Sequence, residues 1–157
     1  MPTYYSKGMR ILLAAVLLAA FLAGCGSSHV TDELGITPVT FPNGTRINAE
    51  TMRTDIELLR GLMFRESLPP SRGMLFVHPE ENTFHYWMYQ TKIPLDIIWM
   101  DHDRRIVEMS LDTPPCKSSS AKECPNYGGN YKSKLVLEVN AGIAKKNGLK
   151  VGDTLDF

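Results

Sequence analysis

Asp96 stands in Ile93-Pro94-Leu95-Asp96-Ile97-Ile98, where every neighbour is apolar. An ionised carboxylate buried without partners is very costly, so this one must be paired, hydrogen-bonded or placed at a rim. Arg65, Arg72 and Lys92 are the available cations. A structural ion pair is the plain reading, and the floor of a pocket is the functional one. Just upstream, Trp87 and Tyr89 share one face of a strand, while Phe84, Tyr86 and Met88 share the other. One set packs inward, and the other exposes large aromatic area unless covered or used. Aromatic rings beside a few polar groups are what a sugar or peptide surface needs. Trp87, Lys92 and Asp96 are therefore expected at the rim of any ligand pocket, with Arg65 and Glu66 reaching in from the segment after the first helix.

Other constellations are weaker. Glu66 and Asp96 could form the carboxylate pair of a glycoside hydrolase, but nothing in their spacing tests this. His85 and Met88 offer imidazole and thioether, donors that suit copper in an oxidising compartment. On a strand, positions three apart point to opposite faces, so both reach one ion only across a bulge. Core packing is the simpler role for Met74, Met88, Met100 and Met109. Asp101-His102-Asp103 clusters oxygen and nitrogen donors, yet between two strands it reads as a turn. His78 and His29 have no convincing partners, and no serine lies in a nucleophile elbow. No catalytic residue, metal or cofactor is implied.

The N-terminus carries an address. Lys7 and Arg10 precede an apolar run, Ile11 to Leu22, and the small pair Ala23-Gly24 leads to Cys25. A basic flank, a short apolar stretch and small residues form a secretory signal. The run falls short of the ~20 apolar residues that span a bilayer. Leu22-Ala23-Gly24-Cys25 looks like a bacterial lipobox, which implies cleavage before Cys25 and lipid on its sulfur. Two acyl chains, at about 0.8 kcal/mol per buried methylene, anchor a protein stably. The expectation is a lipid-anchored envelope protein whose membrane partner is engaged through Cys25. Gly26 favours the outer membrane, facing the periplasm, if the cell is Gram-negative.

Residues 25–37 read as a flexible tether, because Gly26 to Pro38 is small and polar with few aromatics. Residues 38–157 form one domain, enough for one core and too few for two. Loss of residues 1–24 removes two of 17 basic residues against 17 acidic ones, leaving a net charge of about −2. No basic stripe neutralises phosphates, so nucleic acid is not an expected partner. Cys116 and Cys124 flank a short polar loop, and an oxidising compartment favours a disulfide between them. Closing that loop is worth about 2.5 kcal/mol in the chain-entropy model. Zinc is the rival, but neither cysteine has a partner at ligand spacing.

Turn chemistry divides the domain. Pro42-Asn43-Gly44 between β-prone runs signals a hairpin. Thr54 to Glu57 fits a capping box for a short helix that ends at Gly61, with Ile56, Leu59 and Leu62 on one face. Gly73 to Val77 reads as a strand, His78 to Asn82 as a turn, and Phe84 to Tyr89 as the next strand. Ile97 to Met100 reads as a strand buried on both faces. Strands follow at Ile106–Met109, Leu135–Val139 and Thr154–Phe157, with a second helix from Ala141 to Asn147. The fold class is mainly β: a small sandwich or barrel of about seven strands with two short helices.

Gly61-Leu62-Met63-Phe64-Arg65-Glu66, Gly73-Met74-Leu75-Phe76, Trp87-Met88 and Ile93 to Ile98 resemble an uncharacterised bacterial and archaeal family, domain of unknown function 192. Leu137 to Gly142 and Gly148 to Asp153 resemble it too, so the likeness runs from about Val39 to Phe157. It implies a compact β-rich fold, often exported or lipidated, and supplies no reaction or catalytic residue. Where the family commonly carries a lysine after Trp-Met, this chain has Tyr89. The functional expectation is a non-catalytic binding module for a small ligand, glycan or envelope protein. The alternative is a hydrolase of envelope saccharide or peptide working through carboxylates.

Overall fold

The computed structural model describes residues 35–157. The export segment 1–24, the lipidation site Cys25 and the tether as far as residue 34 lie outside the described residues. The first strand, β1 (Ile36–Thr40), pairs antiparallel with β2 (Arg46–Met52). Asn43 makes their turn by accepting the Thr45 amide on its side-chain oxygen at 3.0 Å, and Gly44 supplies a φ of 84°.

Helix α1 (Asp55–Arg60) starts as its sequence predicts. The Glu57 carboxylate accepts the amides of Thr54 and Arg53 at 2.9 and 3.0 Å. These bonds, that of Thr54 foremost, hold its pKa below the usual glutamate value. Gly61, at φ 46°, ends the helix. Of the residues read as sharing one face, Ile56 and Leu59 are 75% and 62% exposed and only Leu62, beyond the helix end, is buried. Six residues present too little surface for a full apolar stripe, and this helix contributes no buried residue.

Next come β3 (Arg72–Trp87), β4 (Leu95–Met100), β5 (Ile106–Thr113), β6 (Asn126–Asn140) and α2 (Ile143–Lys146). They complete one mixed sheet in the order β1-β2-β3-β6-β4-β5, with β2–β3 the parallel pair. The mainly β class with two short helices is as expected, but the named strands number six and the sheet is not closed. His78 to Asn82 does not reverse the chain: β3 runs through it, with register shifts against β6 on either side of Asn82-Thr83. A bulge absorbs extra residues by bending a strand without ending it. The last segment makes only isolated bridges, Asp156 to Thr40 and Thr154 to Arg105, and so touches both edge strands.

Strand alternation divides the core in two. Every residue of β4 is buried, as expected for an apolar run covered on both faces. Ile98 and Met100 join Leu137, Val139, Phe41 and Leu155 on one side of the sheet. Leu95, Ile97 and Trp99 join Met74, Phe76, Val136 and Leu62 on the other. The expected disulfide is present between Cys116 and Cys124, across the short 3-10 turn Ala121–Glu123. Among the described residues, no helix is long and apolar enough to cross a membrane.

Candidate functional site

Strand β6 turns Leu135, Leu137 and Val139 to one side and Val136 and Glu138 to the other. The cross-strand neighbours of Glu138 are Met74 on β3 and Ile97 on β4, both fully buried. Glu138 is itself only 5% exposed, and no described residue donates a hydrogen bond to its carboxylate. It lines a cavity of about 330 Å³ together with Phe76, Tyr86, Trp87, Leu58 and Met63. Gly61 keeps this space open: a Cβ there would lie 3.1 Å from the Phe76 ring and 3.9 Å from Glu138 Oε2. Burial disfavours the charged form, pushing the Glu138 carboxyl up to about 8. It is mostly protonated at neutral pH when the cavity is empty.

Besides Glu138, the lining includes the polar side chains of His78, Tyr86, His85, Thr91, Asn126 and Arg60. His78 Nε2 lies 3.0 Å from the Tyr86 hydroxyl. The His78 ring stacks on Phe84 with centroids 3.5 Å apart. Burial brings the His78 pKa down to about 4, so this imidazole is neutral at pH 7. Tyr86 packs edge-on against Phe76 and Trp99. Its phenol is held well above the ordinary value by burial, and secondarily by the charge of Glu138. The result is a largely apolar, aromatic-walled space with a buried carboxyl, a histidine–tyrosine pair and Arg60, His85, Thr91 and Asn126 also in its lining, suited to hold a small molecule by shape and a few polar contacts.

The residues expected at a pocket rim are distributed as follows. Trp87 lines the cavity, and with Tyr89, Ile56 and Met63 it also lines a second, shallower concavity beside it. Arg65 is engaged with Glu50, donating Nη1 to Oε1 at 2.8 Å, and Arg72 approaches the same carboxylate at 3.5 Å. Glu66 is exposed and ion-paired with Lys92. Asp96 is fully buried on the opposite side of the sheet. There it accepts the Asp112 amide at 2.9 Å and the Ala144 amide, in the first turn of α2, at 2.8 Å. His85 Nδ1 lies 2.9 Å from the Gly128 carbonyl, while Met88 is fully buried. Asp101 accepts the amides of Asp103 and Arg105, both at 2.9 Å, as a turn residue does. Among the described residues no three histidine, cysteine, aspartate or glutamate side chains are grouped to hold a metal.

Asp96 is thus a tertiary cap. Asp96→Ala leaves two amides without their acceptor and is expected to cost about 3 kcal/mol, with Asp96→Asn less damaging because one oxygen remains. Urea denaturation measures this, and an unchanged midpoint in the alanine variant would refute the capping role.

The sequence analysis does not single out Glu138, places Tyr86 only on an aromatic strand face and leaves His78 without a partner. A signal for Glu138 was available in Leu135-Val136-Leu137-Glu138-Val139, a charged residue inside an apolar strand like Asp96. The His78–Tyr86 pair had no such signal, because it depends on the bend in β3.

The fold and site define a small mainly β domain whose mixed sheet carries an aromatic-walled cavity over a buried carboxyl. The chain belongs to the family described as Uncharacterized ACR, domain of unknown function 192, whose profile matches residues 39–157. A protein of unknown function from Novosphingobium aromaticivorans DSM 12444 has a similar structure, with TM-score 0.67 and 32% identity over 86% of this chain and 94% of that one. Another similar structure, from Sinorhizobium meliloti 1021 and named as a candidate transcription regulator, has TM-score 0.66 and 27% identity over 76% of this chain and 89% of that one. None of the curated proteins matches.

Proposed function

We propose that this protein is an envelope lipoprotein, anchored through Cys25, whose β domain binds a small ligand in the Glu138 cavity without transforming it. The observation that carries the binding role is the cavity itself: about 330 Å³ of space ending on a carboxyl that no described residue satisfies. Buried polar groups left unpaired are costly, so a ligand that pairs this one gains affinity that the empty fold forgoes. A hydrolytic pair of Glu66 and Asp96 is disfavoured, since one is ion-paired at the surface and the other is occupied by two amides. The near-neutral mature charge argues against a nucleic-acid partner.

The anchor and the cavity are tested separately. Mass spectrometry of the wild-type protein should find residues 1–24 removed and lipid on Cys25, and Cys25→Ala should release the protein from the membrane fraction or leave the precursor uncut. An intact N-terminus on the wild-type protein refutes the anchor. For the cavity, melting of the full chain is followed against small amines, acids, sugars and peptides. A ligand at about 100 Kd stabilises by about 2.7 kcal/mol. Leu58→Trp, which fills the cavity, should abolish that shift. Equal shifts in both proteins, or none with any compound, refute the binding reading.

A further inference from the structure

We infer that the Glu138 cavity takes a small organic cation, an ammonium group carried on an apolar or aromatic body. This rests on the proposed binding role and names the ligand class. Three observations of geometry carry it. First, Glu138 is nine-tenths or more buried and faces the cavity with no described partner, so the one strong polar group at the floor is an acceptor of positive charge. Second, the walls are aromatic: Phe76, Phe84, Tyr86 and Trp87 all line the space. Aromatic rings attract a cation through their quadrupoles, more strongly where the site is desolvated. Third, among the described residues no lysine or arginine is paired with the Glu138 carboxyl. Ile97 of β4 and Met74 of β3 flank Glu138, and the imidazole that lines the same cavity, His78, is neutral and engaged with Tyr86.

The other titratable or charged groups lining the cavity are His85 on β3 and Arg60 at the end of α1. Arg60 is exposed at the mouth, where water and salt screen it from the floor. An ammonium seated on Glu138 favours the carboxylate over the acid. The proton that the empty site holds at neutral pH is therefore released to solvent, and the ligand keeps its own. Binding of a cation is coupled to loss of about one proton, whereas a neutral ligand of the same shape releases none.

The test is calorimetric titration of the full chain, in non-ionic detergent at pH 7, with benzylammonium, benzyl alcohol and benzoate. Benzylammonium is expected to bind at least tenfold more tightly than the other two, with a heat that varies with the ionisation enthalpy of the buffer. Glu138→Gln should weaken benzylammonium at least tenfold and remove the buffer dependence while leaving benzyl alcohol unchanged. Leu58→Trp, with the carboxyl in place, should block all three. If benzyl alcohol or benzoate binds as well as benzylammonium, the cation inference is overturned and the cavity still stands as a binding site. If benzylammonium shows no binding, or a proton is not released, the inference is overturned as well, and the broader melting screen decides the cavity by itself.

Discussion

Between pH 6.5 and 8 the domain is expected to lose about 2 kcal/mol of stability, and Glu138→Gln should remove most of that loss. Glu138 has a pKa of about 8 in the fold against 4.5 as a free side chain. Above pH 4.5 the unfolded chain releases this proton while the folded chain keeps it. Stability contributed by the group therefore falls as pH rises, and the fall is complete once pH exceeds 8. Over that whole window the effect is on the order of 4 kcal/mol. His78 acts in the opposite sense, because its folded pKa of about 4 lies below the ordinary 6.5. Between those values the unfolded chain gains the proton first, so stability rises with pH and then levels off. The two trends oppose each other from pH 4.5 to 6.5, and above that range the contribution of His78 fades and the Glu138 trend is the larger of the two. Chemical denaturation of both proteins at pH 6.5 and 8 measures the difference, and parallel losses in wild type and variant would show that Glu138 is not the group responsible.

Gly128→Ala is expected to cost about 3–5 kcal/mol, enough to unfold a marginal domain of this size. A Cβ at this position would lie 2.3 Å from Trp99 Cζ2 and 2.5 Å from Cε2, and the residue has a φ of 69°. Trp99 is fully buried, and its indole donates to the Phe84 carbonyl at 2.9 Å, so the ring has no route away. The neighbouring Gly129 makes a useful contrast. Its Cβ would lie 2.4 Å from the ring of His85, at φ 80°, but that ring sits at the surface and can swing aside. Gly129→Ala should therefore cost only about 1–2 kcal/mol, mainly from the backbone. Adding Trp99→Leu to Gly128→Ala should recover part of the loss relative to Trp99→Leu alone. Equal effects of the two glycine substitutions would refute the close approach of Trp99.

Both predictions turn on features that were unevenly legible. Gly128-Gly129 lies in a polar stretch within β6, where Gly128 pairs with His85 of β3. A strand gains glycine where another group must approach its backbone closely, and that group, Trp99, comes from a different strand. The bend of β3 was likewise hidden. Its turn-like residues His78-Pro79-Glu80-Glu81-Asn82 bulge the strand, and pairing with β6 on both sides of the bulge keeps it one strand.

What the sequence determined by itself is local. The Asn43-Gly44 turn, the Glu57 cap, the buried run of β4 and the closure of Cys116 with Cys124 each follow from a few adjacent residues, whose geometry is set over distances the chain spans within a turn or two. Only the tertiary structure decided the fate of the two carboxylates in apolar strands. Asp96 and Glu138 look alike in sequence, yet Asp96 receives amides from residues 16 and 48 positions away, while Glu138 faces open space beneath Gly61. The reason is alternation: on the antiparallel pair β4–β6 the two side chains point to opposite sides of the sheet, one towards α2 and the other towards the cavity. A strand's own residues specify that a side chain is buried, but what it meets there is contributed by the elements that cover that face.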